Sequence, residues 1–151
     1  MNQVYTHEEV IANFLALIDS WDFDAELKRF GIGPVNLIRR RRMLLEFRGL
    51  FAGLWRLALT RSFPEDGRQI FEGYLEATVL RAKNSKKALR HVERARHYAK
   101  MLAVRGDTDF SEVSRQLAAL ARLPESARKN VTLKLALDIR QMYNFIFERM
   151  I

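Results

Sequence analysis

Apolar residues recur along this chain at steps of three and four, and no stretch alternates apolar and polar over a strand's length. Val10, Phe14, Leu17 and Ile18 predict a first helix over 6–19, opened by a capping box of Thr6 and Glu9. A short second helix is expected over about 23–30, stopped by Gly31. Gly31, Gly33 and Pro34 break the pattern, and Pro34 suits the first turn of a long third helix over about 34–62. Further helices are predicted over about 65–82, 85–104, 110–122 and 125–150. Asn84 or Ser85 caps the fifth and Gly106 ends it; Asp109 with Glu112 opens the sixth; Pro124 starts or precedes the last.

The third helix is apolar on two sides. Leu37, Ile38, Leu44, Leu45, Phe51, Ala52, Trp55, Ala58 and Leu59 share one broad face, while Met43, Phe47, Leu50, Leu54 and Leu57 lie on the other. Such a helix belongs at the centre of its domain. Only a narrow strip near Gly49, Gly53 and Arg56 lacks large apolar groups. Gly49 and Gly53 are four apart, the spacing of a close helix crossing, and in water that crossing is expected inside the fold rather than at a dimer face. The expected fold is all-α: one domain over 1–151, a bundle of six or seven helices around a long central helix at about 34–62.

With 151 residues, three Pro and seven Gly, the chain has few helix breakers and length enough for a core without staples. It has no cysteine, which excludes a disulfide framework, a thiolate zinc site and a cysteine nucleophile. The run Val10–Ile18 follows two glutamates rather than a basic leader region, and Met43–Leu59 is interrupted by Glu46, Arg48 and Arg56. These features lead us to expect a soluble cytoplasmic protein with no membrane partner.

Charge changes the picture. Residues 31–63 hold seven Arg against Glu46 alone, a balance of +6; residues 83–106 hold eight cations against Glu93 alone, a balance of +7. The net charge is +8, so the remainder is acidic, including a balance of −4 over the first thirty residues. Such clustering attracts polyanions. On the fifth helix Lys83, Lys87, Arg90, Arg94 and His97 follow at steps of four, three, four and three, flanked by Lys86 and Arg96. Leu89, Val92, Ala99 and Leu102 mark an opposed apolar stripe. A row of cations at this spacing can follow a phosphate backbone. It can equally meet an acidic protein, or the acidic start of this same chain.

The run Arg39–Arg42 spreads around its helix, because successive residues turn by about 100°. Arg39 and Arg42 point toward the glycine strip, whereas Arg41 and Arg48 fall on an apolar face in line with Trp55. Guanidinium groups there need partners. Asp19, Asp22, Asp24, Glu72 and Glu76 are available as internal ion pairs, the alternative being a pocket for a carboxylate or phosphate. At the C-terminus Phe145, Phe147 and Met150 belong to a segment apolar on more than one side, which either closes the core or meets a second copy.

Catalytic patterns do not emerge. His91 and His97 diverge on their helix, Glu72 and Glu76 lack a histidine partner, and there is neither a phosphate loop nor a GxSxG. No metal or cofactor is expected. The reading is a non-catalytic helical binding module that contacts a polyanion, most plausibly a DNA or RNA backbone, through Lys83, Lys86, Lys87, Arg90, Arg94 and His97 with Arg39 and Arg42 in support. The alternative is a structural protein, a self-associating homo-oligomer or an adaptor for an acidic partner.

Overall fold

Thr6 opens the first helix as the capping pattern predicts: its hydroxyl oxygen accepts the Glu9 N–H at 3.2 Å, and α1 runs His7–Ser20. The computed structural model describes residues 5–29, 31, 37–105 (Arg105 without its side chain) and 110–150. Six more helices follow: α2 Phe23–Arg29, α3 Leu37–Ser62, α4 Gly67–Arg81, α5 Lys86–Arg105, α6 Ser111–Leu120 and α7 Glu125–Glu148. No strand occurs among the described residues. Pro34 and the capping pair member Asp109, together with Gly106, lie outside them. Ser85 is the residue that caps α5, its hydroxyl oxygen accepting the Ala88 N–H at 3.2 Å.

α3 is the central helix, and its two-sided apolar pattern explains why. Phe51 and Trp55 meet Phe14 of α1 on one side, the Trp55 and Phe14 rings stacking at 4.0 Å. On another side Met43 and Phe47 meet Leu117 of α6, Ala121 just past its end, and Val131 and Leu135 of α7. All seven helices contribute to one core, so the chain forms a single helical domain. Burying Phe14, Phe47, Phe51 and Trp55 contributes about 1.5–3 kcal/mol each.

The thin strip of α3 receives α5. A Cβ on Gly49 would lie 2.8 Å from the Cβ of Arg94, and one on Gly53 would lie 2.8 Å from the Cβ of Tyr98. One turn along α3 thus matches one turn along α5 in the same direction, so the two helices run parallel. α4 is the return segment between them. The face that α5 buries is Ala88, His91, Ala95, Tyr98 and Leu102. This corrects the expected stripe of Leu89, Val92, Ala99 and Leu102, in which only Leu102 is fully buried and Leu89 is exposed. The reason is steric: the α5 side chains nearest the glycines, Arg94 and Tyr98, must leave the seam sideways, and the turn of α5 that follows buries Ala95 beside them.

Alanine is the better helix former by about 1 kcal/mol, yet Gly53→Ala should destabilise the protein, by about 1–3 kcal/mol, because backbone and Cβ atoms of α5 block the new methyl. Gly73→Ala meets only the end of the Ile11 side chain and should be far milder. Urea denaturation of the two variants measures the contrast; equal midpoints would show that the crossing is loose.

Candidate polyanion interface

The parallel arrangement of α3 and α5 decides where the charge goes. Their N-terminal turns point to the same end of the bundle, and the turn from α4 to α5 lies there too. The contacts of Met43 and Phe47 bring the turn from α6 to α7 to that end as well. Arg42, Arg81, Lys83, Lys86, Lys87, Arg90 and Arg122 are all exposed. Among the described residues none of these seven lies within ion-pair distance of a carboxylate. The opposite end is where Asn13 of α1 donates to the carbonyls of Arg149 and Met150 at 2.7 and 2.8 Å. It carries Glu8, Glu9, Glu65, Asp66 and Glu148 together with Arg61, Arg68 and Arg149, and His7 lies 3.6 Å from Asp66. Seven exposed cations without a carboxylate in ion-pair reach thus stand at one pole, whereas the other mixes signs.

Two turns at the basic pole hold a cation in the left-handed region, Lys83 at φ 50° and Arg122 at φ 54°. Glycine adopts that conformation without penalty, whereas a side chain there costs about 1 kcal/mol. Lys83 shares its turn with Asn84 at φ 58°, whose N–H donates to the Val79 carbonyl at 3.0 Å and closes α4.

The row expected on α5 does not run outward along its length. Lys83, Lys86, Lys87 and Arg90 stand exposed, but Arg94 turns inward. Its Nε and Nη2 donate to Glu46 Oε2 of α3 at 3.1 and 2.9 Å, and the Tyr98 hydroxyl donates to the same oxygen. Glu46 is only 5% exposed, so its charge needs these three donors. Burial disfavours the Arg94 charge, but the bonds to Glu46 and Tyr98 outweigh it and hold the guanidinium protonated more firmly than usual. Burial, and then the carboxylate, push the Tyr98 hydroxyl far above its ordinary pKa. His97 is half-buried, its Nε2 2.8 Å from Gln116 Oε1 of α6. Arg96 is exposed but pairs with Glu72 of α4 at 2.5 and 2.8 Å. Arg94 and His97 thus belong to helix packing, and the outward row shortens to its first two turns.

Elsewhere the expected groups separate. Arg39 is half-buried and Arg42 exposed. Arg41 is exposed, while Arg48 sits 3.9 Å from Asp19 and lies over the Phe23 ring at 5.4 Å. The two do not line a common anion pocket, because the apolar face on which they were expected is covered at Arg48 by α1 and α2 and open at Arg41. Arg40, not Arg41, pairs with Asp24. At the C-terminus Met150 is 3% exposed and Phe145 packs edge-on to Trp21 at 4.9 Å. Both close the core, which leaves Phe147, 42% exposed, as the outward member of that trio.

Periodicity missed two buried polar pairs. Glu46 stood out only as the single acid among seven arginines. His91 Nε2 lies 2.8 Å from the Tyr74 hydroxyl, both groups buried. Burial, with Arg48 adding to it, lowers the His91 pKa to about 4, and burial raises Tyr74 to about 12. No group of three or more His, Cys, Asp or Glu among the described residues could hold a metal ion. No helix among them is long and apolar enough to cross a membrane. Comparison with protein-family models, with curated proteins and with solved structures gives no match.

Removing the Glu46 carboxylate should strand Arg94 and the Tyr98 hydroxyl. Glu46→Ala is expected to cost about 2–4 kcal/mol, and a Glu46→Met, Arg94→Met double variant should recover most of it; urea titration of both decides. His91 supplies a pH signature. An unfolded histidine takes its proton near pH 6.5, and the folded site resists it down to about 4. The contribution of this site to stability should therefore be complete above pH 6.5 and be lost as pH drops toward 4, by about 3 kcal/mol in all. Replacing His91 and Tyr74 together with Phe should flatten the urea-midpoint profile over that interval. An unchanged slope would assign the loss to other groups.

Proposed function

We propose that this protein is a non-catalytic module that binds a polyanion, a nucleic-acid backbone, through the basic pole of its bundle. The observation that carries the reading is the gathering of Arg42, Arg81, Lys83, Lys86, Lys87, Arg90 and Arg122 at one end, exposed and without acidic partners. Solvated helix faces ordinarily mix signs. Here two cations of α5 further along find acids, Arg94 at buried Glu46 and Arg96 at surface Glu72, and the pole is left cationic. Lysine and arginine in two left-handed turns add support, since glycine there would relieve strain but carry no charge. Aromatic groups are not interleaved with these cations, so contact with phosphates rather than stacking on bases fits best.

Retention of labelled duplex DNA or RNA should weaken steeply with salt, with a log–log slope of about −4 to −5 if five phosphates are met. A Lys86→Glu, Lys87→Glu, Arg90→Glu variant should lose binding at about 0.1 M salt and keep its melting temperature, because all three side chains are exposed. Arg94 is no part of this test; its reversal would face Glu46 with a second carboxylate and unfold the protein. Retention no better than that of a neutral helical protein would sink the reading. So would capture by phosphatidylserine vesicles in place of nucleic acid, through Leu37, Ile38, Leu80 and Leu89, which are 60, 84, 66 and 49% exposed at this pole.

A second reading, self-association, is favoured by one observation. Leu133, Leu137 and Phe147 share a face of α7 and are 65, 56 and 42% exposed. If that face joins two copies, sedimentation will show a dimer that Leu137→Asp with Phe147→Asp dissociates, with nucleic-acid retention per chain unchanged.

A further inference from the structure

We infer that the seam between the first turns of α3 and α5 is a seat for a single phosphate group, built by Arg42, Lys87 and Arg90. The argument comes from helical register. Arg42, Glu46, Gly49 and Gly53 follow one another on α3 at steps of four, three and four, so they form one line. The two glycines of that line touch Arg94 and Tyr98 of α5, and Glu46 accepts both bonds from Arg94. Because the helices are parallel, one step back along each keeps them level. On α3 two steps back from Gly49 lead through Glu46 to Arg42. On α5 the same two steps lead from Arg94 through Arg90 to Lys87, which sets Arg42 level with Lys87 and next to Arg90.

The same seam therefore changes character within one turn. At Glu46–Arg94 it holds an acid against a base. A turn earlier it holds three exposed bases with no acid in ion-pair reach among the described residues. Two guanidinium groups on facing strips repel unless an anion neutralises them. A phosphate offers oxygens in the geometry that guanidinium N–H pairs grip, and a lysine adds a compact charge. The positive ends of two long helices, α3 and α5, point the same way and reinforce the attraction. A carboxylate would do this less well, since it has two oxygens to share among three cations.

This inference builds on the proposal that the basic pole binds nucleic acid: the seat would grip one backbone phosphate and fix the register of the remaining contacts. Inorganic phosphate presents the same chemistry alone, so it serves as the probe. Sodium phosphate, compared with sodium chloride at equal ionic strength, should raise the melting temperature of the wild-type chain by about 3–6 °C at ten times its dissociation constant. Arg42→Gln and Arg90→Gln should each abolish that increment, leave the far-ultraviolet circular dichroism unchanged, and flatten the salt dependence of DNA retention by up to about 1 in slope. Lys100→Gln, an exposed cation on α5 beyond the seam, should keep the increment. An increment that survives Arg42→Gln, or one that Lys100→Gln removes equally, overturns the seat. DNA retention without an Arg42-dependent phosphate increment would reject the seat and leave the functional proposal standing. The increment without DNA retention would do the reverse.

Discussion

Two missing side chains organise this protein. Because Gly49 and Gly53 carry no Cβ, α5 approaches α3 until its own backbone and Cβ atoms fill the space, 2.8 Å from where a methyl would be. That approach brings Arg94 within reach of Glu46. The return through α4 sets α5 parallel to α3 and sends the leading turns of both helices to one pole. A wider crossing would admit solvent to Glu46, and its carboxylate would no longer need Arg94 and Tyr98 to stay buried.

The polar groups inside the bundle divide by task. Glu46 with Arg94 and Tyr98 fixes which turn of α5 faces which turn of α3, since a one-turn slip would leave the carboxylate without its three donors. Glu72 with Arg96 performs the same service between α4 and α5, but at the surface, where the pair contributes little energy. Glu26 is a third case. It is 2% exposed beside Asp138, and burial followed by that neighbour raises its pKa, with Arg29 at 3.5 Å only partly opposing them. α2 is thus held by ring contacts such as Phe23 with Phe51 and by the pair of Asp24 with Arg40 rather than by Glu26.

How much of this the amino-acid pattern reveals depends on the kind of information asked of it. Seven helices, the central position of α3, the Thr6 cap and the glycine crossing all follow from spacing, because spacing reports which residues share a face. Which neighbour a face meets is a different matter. Arg90 and Arg94 sit on one line of α5, and only the neighbouring helix separates them: Glu46 pairs with Arg94, and among the described residues no acid lies within ion-pair distance of Arg90. Tyr98 and His91 look amphipathic in any pattern, yet both are buried, because each finds a single polar partner deep in the bundle. Phe145 and Met150 were ambiguous for the same reason, and Trp21 and Asn13, more than a hundred residues earlier, are what draw them in. The seven-arginine segment reads as a block along the chain, but its members part: Arg40 pairs with Asp24, Arg48 lies beside Asp19, and Arg41 and Arg42 stay exposed.

The gathering of unpartnered cations at one end distributes charge unevenly over the molecule, and the aligned peptide dipoles of α3 and α5 add to that rather than cancel it. In the field of a highly charged polymer such a body experiences a torque before it makes any contact. It would arrive already turned with its cationic end forward, so fewer collisions are wasted on the wrong face. That advantage acts only within about 8–10 Å of the surface at physiological ionic strength. On the proposed function, the geometry of two glycines would thereby govern how quickly a polyanion is met as well as how tightly it is held.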